Sequence, residues 1–113
     1  MHEYSIVQAL VERVTLEARA RKAVGVHRVS VRIGEISGVE VELLTTAYVT
    51  FRERTICEGA QLDVQMVPAR WECPDCGRPI ERGDLLRCRA CAVPARLVSG
   101  DEIVLDRIEM EVP

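Results

Sequence analysis

The chain has 113 residues, 29% of them charged, with five cysteines, a net charge of -3 at pH 7 and a pI near 5.4. This length leaves room for one modest core plus a small module that needs a metal to hold it together. The acidic balance makes nucleic acid a secondary hypothesis, and no apolar run approaches the roughly 20 residues of a membrane span. No basic-then-apolar leader precedes the first element, so we expect a cytoplasmic protein.

The first element predicted along the chain is an amphipathic helix. Apolar residues recur at three- and four-residue spacing from Ile6 to Ala18, and polar residues occupy the other side. A capping box begins at Ser5, and Gly25 is a natural stop. We therefore predict a helix that runs to about Ala23.

Two strands and a second helix follow. Alternation with a period of two predicts half-buried strands that end at Gly34 and near Met66. Between them, a capping box at Ser37 precedes an apolar stripe, which predicts a helix over Val39 to Arg54. Branched and aromatic residues in this stretch lower its helix propensity and would also suit a strand.

The next stretch contains two CxxC pairs separated by eleven residues: Cys73 with Cys76, and Cys88 with Cys91. Each pair supplies two thiolates to a tetrahedral Zn(II), and four thiolates leave no open position for a substrate. The pairs therefore predict a structural zinc site. Two disulfides would need an oxidising compartment, and a thioredoxin-like redox motif would need a neighbouring βαβ unit, so both are weaker interpretations.

Four arginines lie close to these cysteines in sequence, and a fifth cysteine lies outside the pairs. The arginines either offset the formal charge of a zinc tetrathiolate, form a docking surface or make an ordinary solvated face: Arg78, Arg82, Arg87 and Arg89. Cys57 is predicted to be a small buried apolar residue, with a regulatory thiol as the alternative.

A third strand follows Ser99-Gly100, with apolar residues that alternate through Val112. The second and third strands thus flank the cysteine module as if it were an insertion. We expect an α+β fold in which two helices pack on one face of a three-stranded sheet, with an inserted zinc-ribbon module. The expected domains are an α/β domain of residues 1–67 and 99–113 and a zinc-ribbon domain of residues 68–98.

Four motifs in order resemble the HypA/HybF family, the nickel metallochaperones of [NiFe]-hydrogenase maturation. They are residues 1–6, residues 32–39, the paired CxxC motifs and residues 98–102. The resemblance covers nearly the whole chain and implies a nickel-binding α/β domain that carries an inserted zinc ribbon. One departure is visible at Glu40-Val41-Glu42, where family members often carry a proline.

The resemblance also implies that Ni(II) is a transported cargo bound by Met1, His2 and Glu3. An α-amino group, a peptide nitrogen and the imidazole of His2 can close two chelate rings, and nitrogen-rich square-planar sites suit Ni(II) or Cu(II). Glu3 would offer its amide or carboxylate as a further ligand, or its charge would offset the cation. His27 is predicted to be a surface residue, with a contribution to nickel handling as the alternative.

The predicted function is therefore nickel delivery for [NiFe]-hydrogenase maturation. We expect no enzyme activity, because no nucleophile, base and orienting group fall together in the sequence. The partners implied by the resemblance are the maturation GTPase HypB and the hydrogenase large-subunit precursor, with urease maturation proteins as an extension. Neither nucleic acid nor a membrane is an expected partner. The alternative function is a zinc-ribbon adaptor that binds protein or RNA and carries no nickel.

Overall fold

A computed structural model describes residues 2–81 and 85–113, so predictions that fall on Met1 and Arg82 lie outside the described residues. In chain order the elements are α1 (Glu3–Ala20), β1 (Gly25–Gly34), α2 (Val41–Phe51), β2 (Gln61–Val67), β3 (Arg70–Glu72), β4 (Pro79–Ile80), β5 (Arg96–Ser99) and β6 (Ile103–Glu111). The strands of the described chain form two three-stranded sheets, with orders β2-β1-β6 and β4-β3-β5.

The first sheet has β1 at its centre. β1 pairs in parallel with β2, from Arg28 opposite Gln61 to Gly34 opposite Val67. On its other side β1 pairs antiparallel with β6, with two register shifts. Parallel neighbours need a crossover connection, and α2 supplies it between β1 and β2. The predicted α+β fold, with two helices, a three-stranded sheet and an inserted cysteine module, is confirmed.

The main core lies between the two helices and β1. The buried residues of α1 recur at three- and four-residue spacing: Val7, Leu10, Val11, Val14 and Ala18. Val29, Val31 and Ile33 are buried along β1, and α2 adds Leu44 and Tyr48. Full burial of one large apolar side chain is worth about 1.5–3 kcal/mol, so these periodic faces hold the helices on the sheet.

The helix α1 begins and ends earlier than the sequence predicted. It starts at Glu3, with His2 as N-cap, so the capping box expected at Ser5 is wrong. It ends because Lys22 adopts a left-handed conformation at φ 55°, three residues before Gly25. The N–H of the next residue, Ala23, donates to the Ala18 carbonyl at 2.9 Å, which is the Schellman arrangement of a helix end.

The helix α2 is shorter than the predicted span at both ends. The Ser37 hydroxyl accepts the N–H of Val39 at 3.2 Å, which forms a turn before the helix rather than its cap. Glu40 is the N-cap and has an extended backbone, but its own side chain makes no capping hydrogen bond. The Glu40 carbonyl accepts the first helical bond, from the N–H of Leu44 at 2.9 Å.

The second sheet is small and lies around the cysteines. Its central strand, β3, pairs antiparallel with β4 through Trp71 opposite Ile80, and with β5 through Trp71 opposite Leu97. An isolated bridge joins Arg87 to Pro94 in the second half of the module. With only nine residues in its three named strands, this sheet has little apolar surface to bury.

The turn after β1 binds both segments that connect the two sheets. Three backbone N–H groups of this turn donate to carbonyls of the connecting segments: Gly34 to Glu102 (2.7 Å), Glu35 to Val67 (2.8 Å) and Ile36 to Gly100 (2.8 Å). The Glu35 carboxylate also accepts the N–H of Ala69 at 2.7 Å. Both connections are therefore fastened to one end of β1.

The molecule is elongated. Its principal extents are 57 × 27 × 16 Å and its radius of gyration is 18.0 Å. A compact single domain of this length would have a radius of gyration of about 13 Å, so the mass is spread along one axis rather than around one centre. Within residues 2–81 and 85–113, neither helix combines the length and the apolar character that a membrane crossing requires.

Candidate metal centres

Four cysteine side chains converge at the end of the second sheet. The sulfurs of Cys73, Cys76, Cys88 and Cys91 all lie within 4.8 Å of one another, and we call this group the thiolate cluster. The Sγ atoms of Cys76 and Cys88 are 3.8 Å apart. A regular tetrahedron with Zn–S bonds of about 2.3 Å has sulfur–sulfur edges of about 3.8 Å. The size of the thiolate cluster therefore fits one zinc ion.

Each CxxC pair folds into the same backbone turn. The N–H of Gly77 donates to the Cys73 carbonyl at 2.9 Å, and the N–H of Ala92 donates to the Cys88 carbonyl at 2.9 Å. Gly77 and Ala92 both have positive φ, 75° and 56°. The N–H of Cys91 also donates to the Cys88 sulfur at 3.4 Å. These turns aim both thiols of each pair at one point.

The thiols of the cluster affect one another's protonation. The N–H of Cys91, which donates to the Cys88 sulfur, lowers the pKa of Cys88 to about 7. Hydrogen bonding with the sulfurs of Cys76 and Cys73 raises the pKa of Cys91 to about 12. Four thiolates this close repel one another unless a cation lies between them, so metal binding to the cluster must release protons.

Arginine side chains border the thiolate cluster. Arg78, Arg87 and Arg89 line a cleft of 430 Å³ together with Cys88. Arg87 also donates to the Ala92 carbonyl at 2.7 Å, which ties it to the second CxxC turn. An offset of the charge of a zinc tetrathiolate and a docking role both stay predictions for these arginines.

The other predicted site lies at the N-terminus, at the far end of the sequence from the cysteines. The His2 side chain is exposed, whereas the neighbouring Glu3 residue is only 8% exposed. The Oε2 atom of Glu3 accepts the N–H of Glu40 at 3.0 Å. This hydrogen bond, followed by one from Glu3's own N–H, lowers the pKa of the Glu3 carboxyl. No signal in the sequence indicates this contact, because its partners are 37 positions apart.

Two further residues singled out in the sequence, Cys57 and His27, lie outside both candidate sites. Cys57 is fully buried in the core, as predicted for a small apolar residue, and burial raises the pKa of its thiol. His27 is exposed on β1, as predicted for a surface residue. The structure thus places neither residue in the thiolate cluster.

Comparison with known proteins gives one consistent family. A family model described as "HypA: Hydrogenase/urease nickel incorporation, metallochaperone, hypA" matches residues 1–110. The hydrogenase maturation factor HypA of Shewanella baltica (strain OS223) is 40% identical over 113 residues, which cover 98% of this chain and 97% of that protein. The protein of the same name from Aquifex aeolicus (strain VF5) is 39% identical and covers 99% of both chains.

Solved structures of the family share the fold. The solution structure of the Ni metallochaperone HypA from Helicobacter pylori has a TM-score of 0.74 and 32% identity, and the match covers 100% of both chains. A second solution structure of a HypA protein has a TM-score of 0.81 and 32% identity over 100% of this chain and 98% of the other. The chain therefore belongs to the HypA family of hydrogenase and urease nickel-incorporation metallochaperones.

Proposed function

We propose that this protein binds Ni(II) at its N-terminus and delivers it for [NiFe]-hydrogenase maturation. The proposal is carried by the family match, which spans residues 1–110 and so includes the N-terminal residues that the function requires. The α-amino group of Met1 and the imidazole of His2 supply nitrogen donors, and Glu3 supplies its amide or carboxylate as a further ligand or offsets the charge of the cation. The exposed His2 side chain leaves the site open to solvent.

An open site of this kind suits a carrier rather than a catalyst. Nitrogen donors in a planar arrangement favour Ni(II) and Cu(II), with copper bound more tightly, so selectivity depends on geometry and on metal supply. The α-amino group and the imidazole must both lose protons before they bind. Protons therefore compete with the metal for these donors, so nickel affinity falls on acidification.

We propose a structural Zn(II) for the thiolate cluster. Four cysteines with sulfur spacing of tetrahedral size support this assignment, because they complete the coordination shell and leave no position for substrate. Zinc binding supplies apparent free energies of about 10–16 kcal/mol in small zinc-finger peptides, which exceeds what so small a sheet gains from its own packing. We propose residues 68–98 as a zinc-ribbon domain, and residues 1–67 with 99–113 as the nickel-binding domain.

The partners that we propose follow from the cargo. A carrier must receive or release Ni(II) through direct contact, and the proposed contacts are the maturation GTPase HypB and the hydrogenase large-subunit precursor. Urease maturation proteins are a further destination, in line with the description of the family. The proposed place of work is the cytoplasm.

The test is a calorimetric Ni(II) titration at pH 7.5 of four proteins loaded with zinc. Wild type is expected to bind one Ni(II), whereas His2→Ala and a form with an acetylated or extended N-terminus are expected to lose at least tenfold in affinity. His27→Ala is the matched control, because His27 is the other histidine of the chain and is exposed on β1.

Equal Ni(II) affinity in all four proteins would contradict nickel binding at the N-terminus. Loss of Ni(II) binding in His27→Ala alone would show that nickel binds at β1 instead. If wild type bound no Ni(II) but captured a protein or an RNA, the zinc-ribbon adaptor would become the better account, and a steep decrease of RNA binding with salt would identify phosphate contacts.

A further inference from the structure

The side chain of Glu3 is the buried charged group of the described chain. Among residues 2–81 and 85–113, it alone combines a charge with less than 9% exposure. A buried carboxylate is costly unless hydrogen bonds satisfy it. Its partner is a backbone N–H on another helix, that of Glu40 at 3.0 Å. The chain thus buries a charge two positions after its first residue, in a segment whose neighbouring side chains at positions 2 and 4 are exposed.

The Glu40 N–H lies at the N-terminus of α2, where backbone donors have no helical partner. The side chain of Glu40 makes no capping bond, so the carboxylate of Glu3 takes over the role of a cap from outside the helix. The positive end of the α2 dipole favours a negative group at this point. In the metal-free protein the same carboxylate also accepts a bond from its own N–H. That bond ends when the Glu3 amide loses its proton to bind Ni(II), whereas the bond from the Glu40 N–H remains.

Two hydrogen bonds fix the backbone at His2 and Glu3. The carbonyl of His2 accepts the N–H of Ile6 at 3.1 Å, and the side chain of Glu3 is attached to α2. A free N-terminal tripeptide would lose conformational entropy when a metal closes its chelate rings, at roughly 1–2 kcal/mol for each residue fixed. Here part of that ordering exists before the metal binds.

We propose that the Glu3 carboxylate is a positioning residue for Ni(II) and does not coordinate the metal. It fastens the start of α1 to the N-terminus of α2 and so pre-organises the nitrogen donors of His2 and the amide of Glu3 itself. This inference rests on the proposed N-terminal nickel site. It assigns the carboxylate to the protein scaffold, where the resemblance leaves it open as a ligand or a counter-charge.

Side-chain length and charge separate these roles. Glu3→Asp keeps the charge but shortens the side chain by one methylene, about 1.5 Å, which takes the oxygen beyond hydrogen-bond distance of the Glu40 N–H. Glu3→Gln removes the charge but keeps the length and a carbonyl oxygen that accepts the same N–H. A positioning role predicts that Asp is the more harmful change, whereas a ligand or counter-charge role predicts that Gln is.

The experiment compares Ni(II) affinity of wild type, Glu3→Asp and Glu3→Gln by calorimetry at pH 7.5. We expect a loss of about tenfold for Asp and about threefold for Gln, the size of effect seen when a helix cap is removed or weakened. Glu42→Gln is the control for charge alone, because Glu42 is exposed in the first turn of α2. It should bind as wild type does.

Two further measurements show whether the hydrogen bond is the cause. Hydrogen exchange of the Glu40 amide in the nickel-free proteins should be protected in wild type and Glu3→Gln and unprotected in Glu3→Asp. The visible absorption bands of bound Ni(II) should keep their wavelength in both variants, since the donor atoms are unchanged. A shifted band in Glu3→Gln would show that the carboxylate is a ligand and would overturn the proposal.

A purely structural role gives a different pattern. Glu3→Asp would then lower the midpoint of urea unfolding while the folded protein bound Ni(II) with wild-type affinity, which would also contradict the proposal. Failure of the nickel site itself is distinguishable, because wild type would then bind no Ni(II) while the amide protection pattern of Glu40 stayed as described.

Discussion

At the scale of single residues, the carbonyl of Ala60 shows how the core satisfies a buried polar group. Two donors from α2 and the turn after it converge on this oxygen: the Tyr48 hydroxyl at 3.0 Å and Arg52 Nη1 at 2.8 Å. The Arg52 guanidinium also lies over the Tyr48 ring, 5.6 Å from its centroid. Together they fix the end of α2 to the residue that precedes β2.

Tyr48→Phe tests the hydroxyl in this arrangement. The substitution keeps the ring in the core and removes one donor, but Arg52 still satisfies the Ala60 carbonyl, so we expect a loss of only about 1 kcal/mol in the free energy of unfolding by urea. Tyr4→Phe is the control, because Tyr4 is 55% exposed and should change stability by less than about 0.5 kcal/mol. A loss in Tyr48→Phe no larger than in the control would contradict the assignment.

Tyr48 also predicts an alkaline limit to stability. Burial raises the pKa of Tyr48 to about 12, above its value of about 10 in an unfolded chain. A raised pKa means that the neutral hydroxyl stabilises the folded state below pH 10, and that this contribution is lost as the pH rises from about 10 to 12. Urea midpoints over this range should therefore fall more steeply for wild type than for Tyr48→Phe. Parallel curves would show that Tyr48 is not the group responsible.

At the scale of elements, the connections between the two sheets depend on a glycine. Gly100 has a φ of 115°, and a Cβ on it would lie 2.5 Å from the Ala69 Cα. Its N–H donates to the Glu102 carboxylate at 2.5 Å. The N–H of Glu102 itself, followed by this bond from Gly100, lowers the pKa of the Glu102 carboxyl. The two connecting segments can lie side by side only because no side chain stands between them.

Gly100→Ala is therefore expected to cost more than about 2 kcal/mol in the free energy of unfolding, from steric overlap and an unfavourable φ. Gly25→Ala is the matched control, since a Cβ at Gly25 meets nothing within 4 Å. Its effect should stay within about 1 kcal/mol of wild type. Thermal and urea unfolding of both variants measure the difference, and similar losses would show that the close approach at Gly100 is relieved at little cost.

Local patterns predicted which elements form, and their ends depended on contacts that no local pattern contains. The apolar periods of α1 and β1 indicated the buried faces because periodicity and burial have the same geometric cause. The end of α1 was misplaced because Lys22, rather than a glycine, takes the left-handed position. The start of α2 was misplaced because the N–H of its N-cap residue, Glu40, is bound by the Glu3 carboxylate of another helix.

The two candidate metal sites also differ in how far local sequence patterns predict them. The cysteine spacing predicted the thiolate cluster because each pair forms a local turn, although the left-handed Ala92 in the second turn has no glycine to signal it. The N-terminal site has one exposed histidine as its local signal, and the family resemblance supplied the rest. The burial of Glu3 required knowledge of how α1 packs against α2.

At the scale of the whole molecule, the two sheets differ in what holds them together. The first has the core of the chain, and the second has nine strand residues and the thiolate cluster. The single tryptophan, Trp71, lies in β3 of the second sheet, whereas both helices pack with the first sheet. Fluorescence and helical circular dichroism therefore report on different parts of the protein.

Removal of the proposed zinc by a strong chelator is expected to unfold the second sheet alone. The Trp71 emission should shift to longer wavelength, while the circular dichroism at 222 nm from α1 and α2 should persist. Cys76→Ser should reproduce this state without a chelator, and added Zn(II) should restore wild type only. Simultaneous loss of both signals would show that the two units fold as one, and an unchanged emission would show that the thiolate cluster does not hold the sheet.

The segment that contains the second sheet leaves the first sheet at the end of β2 and returns to it at the start of β6, close to where it left. Met66 of β2 and Ile103 of β6 are both opposite Ile33, one on each side of the central strand. Strands in a sheet are about 4.8 Å apart, so the points where the chain leaves and re-enters are about 10 Å apart, a gap that a short turn can close. A short turn in place of the segment that holds the thiolate cluster would therefore leave the strand order β2-β1-β6 unchanged.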